Sequence, residues 1–273
     1  MMNEVEFQRY IDDGLRKRRI KAPFMNIARL IRVVLYQFTN DHRKLKKFMN
    51  KYNGERCFIV GNGPSLSIED LEKIKDEHCF GFNRIYELFD KTSWRPEFYM
   101  VLDNDVMKTV AKNIDQVDAR WKLLNIMGKT MGLKSDDNTI FFCSYGLYRI
   151  KEFCFKKKTI SKDVSKYVSL NFSVTAAAIE TAIFMGFKEI YLIGLDNNFS
   201  RWIDENGKIH LSNVDDYKLI KAHDFNYFCY QDAVNSCFDC YRKYADKRGI
   251  KIYNATRGGN LNSYERINFD DLF

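Results

Sequence analysis

The sequence predicts an α/β protein built on a single doubly wound, mostly parallel sheet. From Arg56 onwards, short apolar runs alternate with segments of helical periodicity, the order that places helices on both faces of a parallel sheet. The first apolar run, Cys57 to Val60, ends in the glycine-rich turn Gly61 to Leu66 before a helical pattern. Strand, glycine turn and helix form the opening unit of nucleotide-binding sheets, in which ligands bind at the carboxyl ends of the strands.

The remaining elements follow in a regular order along the chain. Short apolar runs predict strands at Cys57 to Val60, Cys79 to Phe82, Phe98 to Leu102, Thr139 to Cys143, Ile190 to Ile193 and Ile250 to Tyr253. Helical periodicity predicts helices at Ile68 to Ile74, Val174 to Met185 and Gln231 to Lys247. The polar segments Lys151 to Lys166 and Asn197 to Phe225 lack a clear period, which is typical of loops. We expect a lid over the strand ends at about residues 197–225.

A separate helical arm is predicted for residues 1–55, ahead of a catalytic domain over residues 56–273. Pro23 suits a first helical position, and between Arg16 and Lys51 the only acidic residue is Asp41. An apolar stripe recurs behind Pro23 at three- and four-residue steps: Phe24, Ile27, Ala28, Ile31, Val34, Leu35 and Phe38. The arm is therefore predicted to be a basic amphipathic helix between two basic clusters.

The net charge of +8 belongs to the first 56 residues, which are this arm and Arg56. Residues 1–56 hold 14 basic and 6 acidic side chains, whereas residues 57–273 hold 30 of each. A charge-balanced domain argues against nucleic acid as a partner. The basic segment over residues 16–51 either lies on an anionic membrane surface or packs on its own domain or on a second subunit of a homo-oligomer.

Two further patterns bear on location. The seven cysteines are scattered, and the close pair Cys237 and Cys240 has no second pair to complete a zinc site, so we interpret them as reduced thiols. The most apolar segment, Phe24 to Phe38, contains Arg29 and Arg32 and is too short to span a bilayer. We therefore expect a cytoplasmic protein, held at most peripherally on the inner face of the cell membrane.

Candidate binding residues follow the first two predicted strands. Asn83 comes directly after the second strand, where it either offers a donor and an acceptor to a ligand or starts an Asx turn. The turn after the first strand consists of Gly61, Asn62, Gly63, Pro64 and Ser65. Its glycines favour close approach of backbone amides to a phosphate, although the pattern matches neither the Rossmann nor the P-loop motif. Alternatively, Pro64 and Ser65 simply start a helix.

Further candidates follow the later strands. Asp103 and Asp105 resemble a metal-holding Asp-x-Asp pair for Mg²⁺ or Mn²⁺ bridging to a diphosphate, although a helix cap explains such a carboxylate equally well. Ser173 precedes a helix whose amides can take an anion, and Asp196 follows a strand end. Among the four histidines, His223 is best placed for a general base, because it lies in the late polar loop ahead of the last helix.

Several of these motifs also resemble a known superfamily. Phe58 to Leu66, Phe82 to Arg84 and Gly186 to Asp196 are similar, in order and spacing, to bacterial lipooligosaccharide sialyltransferases. They also resemble the broader superfamily of MptE-like pterin diphosphokinases and flagellin motility accessory factors. Tyr253 to Asn260 is similar to the Asn-Ala-Thr-x-Gly-Gly signature of that second group. The resemblance covers roughly residues 56–270 and implies a Rossmann-like domain, a GT-A-like variant.

The resemblance also implies roles for individual residues. Asn62 and Asn83 match asparagines that contact the CMP-sugar in the sialyltransferases, and a third corresponds to Asp103 or Asn104. Ser173 matches a serine at the start of the small-residue helix, and His223 matches the general base. The two lid tyrosines of those enzymes have no counterpart soon after Asp196, where this chain has Asn197, Asn198, Phe199 and Trp202.

The function implied is that of an inverting glycosyltransferase. It would transfer a sialic-acid-like sugar from a CMP-linked donor to a surface glycan or lipid-linked acceptor, without a required metal. Mg²⁺ or Mn²⁺ would enter only with a diphosphate donor. Two alternatives stay open. One is diphosphate transfer from ATP with Mg²⁺ held by Asp103 and Asp105, and the other is a non-catalytic nucleotide-binding accessory protein for surface glycan or flagellin modification.

Overall fold

The structure, a computed structural model, describes residues 24–146, 160–170, 173–198, 201–203, 209–211 and 231–273. Side chains are described in these ranges except at 201–203, 209–211 and 231–233. Of the predicted arm, residues 24–55 are therefore described. His223 and most of the predicted lid lie outside the described residues.

A parallel sheet forms the centre of the fold, as the sequence predicts, and it has eight strands where the sequence predicted six. Its strands are β1 (Arg56–Val60), β2 (Cys79–Phe82), β3 (Phe98–Val101), β4 (Trp121–Asn125), β5 (Thr139–Phe142), β8 (Glu189–Ile193), β11 (Lys251–Asn254) and β12 (Glu265–Arg266). They lie in the order β12-β11-β8-β1-β2-β3-β4-β5, and every neighbouring pair is parallel. The order reverses at β1, since the chain proceeds outward from it in both directions.

Helices cover both faces of the sheet, which confirms the doubly wound class. They are a helix α1 over residues 24–36, α2 (Asn40–Lys46), α3 (Ile68–Lys73), α4 (Asn104–Val110), α5 (Val174–Met185) and α6 (Gln231–Asp246). One core cluster joins α2, α5 and α6 to one sheet face, and a second joins α3 and α4 to the other. Strands buried on both faces are nearly continuous apolar runs, which is why they are legible in the sequence.

Strand β4 was not predicted, because its apolar run is short. Lys122 interrupts the pattern after Trp121, and only Leu123 and Leu124 are consecutive aliphatic residues. In the structure the ammonium of Lys122 donates to the carbonyl of Ile114 at 3.2 Å, which lets the strand carry a cation inside the sheet.

The segment from residue 40 to residue 55, assigned to the arm from sequence, packs into the α/β domain. Leu45, Phe48 and Tyr52 belong to the core cluster beneath α5 and α6. The amide of Tyr52 donates to the carbonyl of Met185 at 2.9 Å, so this segment is hydrogen-bonded to the end of α5. The domain described by the structure therefore includes chain before residue 56.

Asp41 anchors the same segment to the edge of the sheet. Its carboxylate is buried, pairs with the ammonium of Lys129 at 2.6 Å, and accepts the amide of Phe141 on edge strand β5 at 3.2 Å. The hydroxyl of Ser135 also donates to it at 2.8 Å. The only acidic residue of the basic segment therefore lies inside the domain. Its bond to Phe141 occupies a backbone amide on the open edge of the sheet.

Helix α1 turns its apolar stripe away from the domain. Val33 and Tyr36 are buried at 8% and 1% exposure, whereas the stripe residues Phe24, Ile27, Ile31, Val34, Leu35 and Phe38 are 48% to 80% exposed. One alternative from the sequence was that this stripe packs on its own domain. The exposure of the stripe residues in the described part of the chain contradicts that alternative. No described helix is both long enough and apolar enough to cross a membrane.

Two smaller strand pairs are also described. A parallel pair joins β6 (Ser144–Tyr145) to β7 (Val168–Ser169). Within the predicted lid, β9 (Arg201–Ile203) and β10 (Ile209–Leu211) form an antiparallel pair. The predicted loop Lys151 to Lys166 is described from residue 160, where it contains turns and no helix.

Candidate functional site

The glycine-rich turn lies where the strand order reverses. Strands β1 and β8 are paired in register from Arg56 opposite Glu189 to Val60 opposite Ile193. The loops that begin at Gly61 and Gly194 therefore leave the carboxyl ends of these two strands side by side. In doubly wound sheets this crevice is the usual ligand site, so the structure brings the predicted turn to the expected place.

The glycines of the turn are required by the packing of these two loops. The amides of Gly61 and Gly63 donate to the carbonyls of Ile193 and Gly194, both at 2.8 Å. A Cβ on Gly63 would clash with the carboxylate of Asp196 and lie 2.7 Å from the oxygen of Gly194. A Cβ on Gly61 would lie 2.9 Å from the carbonyl carbon of Gly194. Contact between loops, rather than approach to a phosphate, accounts for these glycines.

Asp196 braces the turn from the neighbouring loop. Its Oδ2 accepts the hydroxyl of Ser65 at 2.7 Å and the amide of Ser65 at 3.2 Å. The side chain is buried, at 8% exposure. The helix after the turn begins only at Ile68, capped by Ser67, so the alternative in which Pro64 and Ser65 start it is wrong.

Asn62 presents an acceptor that has no partner among the described residues. Its Nδ2 donates to the carbonyl of Phe82 at 3.2 Å, which fixes the orientation of the amide. Its Oδ1 is shielded from solvent and accepts no hydrogen bond from any described group. A buried acceptor without a donor costs free energy, so a ligand donor at this position would relieve that cost.

Asn83 directly follows β2 and has a left-handed conformation, with φ at 52°. Asparagine tolerates this region better than most residues do. Its amide donates to the carbonyl of Met100 at 3.3 Å, and its carbonyl accepts the hydroxyl of Tyr99. The backbone is thus held from both sides, and the residue lies beside Asn62 at the ends of adjacent strands β1 and β2.

Asp103 is the N-cap of α4. Its Oδ1 accepts the amides of Asp105 and Val106 at 2.8 Å and 3.0 Å, while Asn104 is the first residue of the helix. The carboxylate of Asp105 pairs with the ammonium of Lys108 at 2.6 Å. Within the described ranges, no group of three or more His, Cys, Asp and Glu side chains is arranged to hold a metal ion.

Ser173 directly precedes α5, and its side chain makes no capping hydrogen bond. The residue has extended backbone, and its hydroxyl accepts no hydrogen bond from the helix amides. The first turn contains no acidic residue. Because the amides of Gly61, Gly63 and Ser65 in the glycine turn are already bonded, the amino end of this 12-residue helix is the better candidate for holding a phosphate.

Glu180 anchors the segment that leads to Ser173. Its carboxylate accepts the amide of Ser169 at 2.7 Å and the hydroxyl of Ser169 at 2.6 Å, and it also accepts the amide of Ser161 at 2.5 Å. Burial raises the pKa of Glu180 to about 7, although these donors act in the opposite direction. The carboxylate therefore ties residues 161–169 to the middle of α5.

The loop after β11 contributes residues that were not singled out as site candidates. Gly259 has a φ of 74°, and a Cβ there would lie 2.7 Å from the backbone of Asp196. The amide of Asn260 donates to the carbonyl of Asp196 at 2.6 Å, and the hydroxyl of Thr256 accepts the amide of Leu195 at 3.1 Å. The Asn-Ala-Thr-x-Gly-Gly signature was the sequence signal for this third loop.

Asn125, at the end of unpredicted β4, was also missed. Its amide donates to the carbonyl of Leu102 at 2.7 Å and to the hydroxyl of Ser144 at 3.1 Å, and it is buried at 2% exposure. It joins the ends of β3 and β4 to the chain after β5. His223 lies outside the described residues, so its predicted role stays a prediction.

Comparison with protein families agrees with this geometry. The family model described as 6-hydroxymethylpterin diphosphokinase MptE-like matches residues 34–201, which is more than half of the chain. The chain belongs to the MptE-like family. This match begins inside helix α1 and includes the glycine turn and Asp196. No curated protein matches the sequence.

Several solved structures are similar to this chain at low identity. The MAf glycosyltransferase from Magnetospirillum magneticum AMB-1 superposes with a TM-score of 0.50 at 14% identity, over 85% of this chain and 38% of that protein. The sialyltransferase CstII from Campylobacter jejuni, solved with cytidine-5'-monophosphate, has a TM-score of 0.44 at 17% identity, over 79% of this chain and 85% of that one. The monofunctional α-2,3-sialyltransferase Cst-I from Campylobacter jejuni has a TM-score of 0.43 at 13% identity, over 78% and 79%. This MptE-like chain thus spans well under half of the MAf glycosyltransferase and has the same Rossmann-like fold.

Proposed function

We propose that this MptE-like protein is a glycosyltransferase that takes a sugar from a nucleotide-activated, CMP-linked donor. The acceptor is a surface glycan or a lipid-linked glycan, and the reaction takes place at the cytoplasmic side of the cell membrane. Resemblance of the strand-end motifs to lipooligosaccharide sialyltransferases supports the donor class. The braced crevice at the reversal of strand order supports nucleotide binding.

The observation that carries the proposal is the unpartnered Oδ1 of Asn62. It is a fixed acceptor at the carboxyl end of β1, buried beside the end of β2. An exocyclic amine or a sugar hydroxyl of a nucleotide supplies the donor that this oxygen lacks. Asn83 at the end of β2 is the proposed second contact, and the amino end of α5 at Ser173 is the proposed phosphate contact.

The proposed reaction is a direct displacement. His223 takes the proton from an acceptor hydroxyl as its oxygen forms a bond to the anomeric carbon of the donor. The bond between that carbon and the phosphate oxygen breaks with inversion, and the nucleoside monophosphate leaves. Charge on the leaving phosphate is stabilised by the amides at the start of α5. No metal takes part in this sequence of steps.

Diphosphate transfer from ATP is the second candidate, because the matched family model is described as a pterin diphosphokinase. In that reaction Asp103 and Asp105 would hold Mg²⁺ against the phosphates. Both carboxylates already have partners, the amides of α4 and the ammonium of Lys108. Because both carboxylates are already engaged, the metal-free reaction is favoured. A non-catalytic accessory protein, the remaining alternative, would bind the nucleotide without turnover.

Replacing Asn62 tests the proposal at the residue that carries it. Asn62→Ala removes the unpartnered acceptor, so we expect release of CMP from a CMP-linked sialic acid donor to require roughly tenfold more donor for half-maximal rate, the loss of one good hydrogen bond. The measurement is initial rate against donor concentration in the presence of EDTA.

The matched control is Asn138→Ala. Asn138 directly precedes edge strand β5, at the amino end of that strand and away from the glycine turn, and its Nδ2 donates to the carbonyl of Ala119 at 3.4 Å. This variant should keep the donor dependence of the original protein. Equal donor dependence of the Asn62 and Asn138 variants would reject the assigned contact, and absence of turnover with any CMP-linked donor would reject the reaction.

A further inference from the structure

One face of helix α1 packs against the domain, and the more apolar face is exposed. Val33 and Tyr36 lie three residues apart and are buried against a small cluster with Cys143. Arg29, one turn before Val33, donates to the carbonyl of Gly146 at 2.6 Å. With 3.6 residues per turn, these three side chains share one face of the helix.

The opposite face is apolar and open. Ile27, Ile31, Val34 and Leu35 lie on the side away from Val33, and each is 48% to 62% exposed. Phe24 and Phe38 extend this surface at either end, at 76% and 80% exposure, and Leu30 borders it at 54%. We call this set the apolar face of α1. Single exposed apolar residues are common on protein surfaces, but a contiguous exposed apolar stripe along a helix is not. Such a stripe marks an interaction site.

The charge around the apolar face indicates its occupant. Basic residues precede the helix at Arg16 to Lys21 and follow it at Arg43 to Lys51. The single acidic residue in this stretch, Asp41, is buried and paired with Lys129, so it does not offset the positive charge at the surface. Self-association through a two-fold axis would bring two such basic sets together, which disfavours a second copy as the occupant.

The position of α1 fits a site that acts on a membrane-borne acceptor. Arg29 and Arg32 of α1 contact Gly146, after β6, and Met127, after β4. Both follow the carboxyl ends of strands, so α1 borders the same edge of the sheet as the glycine turn after β1. Four strand spacings separate β1 from β5, which is about 20 Å.

We infer that the apolar face of α1 is a docking surface for an anionic lipid bilayer. The helix lies in the plane of the interface with its apolar face inserted, and Arg43 and Lys47, which follow the helix and are exposed, contact acidic headgroups. The inference concerns binding to lipid and holds whether the chemistry is sugar transfer or diphosphate transfer.

Vesicle sedimentation of the full chain tests this inference. The original protein should sediment with phosphatidylcholine vesicles that contain phosphatidylserine, and less with vesicles of phosphatidylcholine alone. The triple variant Ile27→Ser, Ile31→Ser, Leu35→Ser should lose about a hundredfold in partitioning, since three inserted side chains are removed. These side chains face solvent, so circular dichroism and CMP binding should be unchanged. Leu170→Ser, an exposed residue outside the helix, is the control and should bind vesicles normally.

Charge removal gives an independent readout. Arg43→Gln together with Lys47→Gln should weaken binding to anionic vesicles by roughly fivefold per residue at low salt, with a smaller effect at high salt. Equal sedimentation of the triple variant and the original protein would overturn the inference. So would an original protein that ignores vesicles but forms dimers that the triple variant cannot form, because the occupant would then be a second copy.

Discussion

Gly63→Ala is expected to abolish measurable nucleotide binding. The new Cβ would clash with the carboxylate of Asp196 and approach the carbonyl oxygen of Gly194 to 2.7 Å. Both obstacles belong to the loop after β8, which is fixed by Thr256 and Asn260, so neither can move cheaply. The turn must shift, and Asn62 and Ser65 move with it. We expect a loss of affinity of about a hundredfold or more and a loss of about 1–3 kcal/mol in the free energy of unfolding.

The control for this variant is Gly249→Ala. A Cβ there meets no atom within 4 Å, but the residue has a φ of 64°, so alanine costs about 1–2 kcal/mol in strain alone. Urea unfolding and nucleotide titration of both variants separate the effects. The two should be comparably destabilised, and only the Gly63 variant should lose nucleotide binding. Normal affinity of the Gly63 variant would show that the turn does not form the site.

His223→Ala is expected to remove turnover by about two to four orders of magnitude, the usual contribution of a positioned general base. Nucleotide affinity should stay within about twofold, because the base contacts the acceptor rather than the donor. The measurement pairs the rate of sugar transfer with calorimetric titration of the nucleotide on the same preparation.

His210→Ala serves as the comparison, since His210 lies in β10 of the same predicted lid. It should transfer sugar at a rate close to that of the original protein. A fully active His223 variant would remove this residue from the mechanism. A large loss in both variants would point to folding of the lid rather than to proton transfer.

The sequence predicts the strands correctly where burial on both faces of the sheet requires a continuous run of apolar residues. All of the predicted strands are present, and helix α5 has the predicted bounds. Strand β4 was not predicted, because Lys122 interrupts its apolar run. No local sequence pattern shows that the ammonium of Lys122 reaches the carbonyl of Ile114. Periodicity likewise found the two faces of α1 but not which of them packs, since Val33 and Tyr36 are only part of a largely apolar helix.

The position of the glycine turn was predictable from the sequence, but its contacts were not. The turn after the first strand is where Gly61 to Ser65 indicates it, at the reversal of strand order. Its brace could not be predicted, because Ser65 and Asp196 are 131 residues apart and meet only through the pairing of β1 with β8. Local spacing suggested that the glycines free amides for a phosphate, whereas tertiary contact uses those amides between loops.

Calorimetric titration of the original protein with CMP in EDTA, and with ATP in the presence and absence of Mg²⁺, separates the two candidate reactions. We expect CMP to bind without metal, with one site per chain, and Asn62→Ala to weaken this binding by roughly tenfold. Binding of ATP only with Mg²⁺, combined with no heat from CMP, would contradict a CMP-linked donor and assign the crevice to diphosphate transfer.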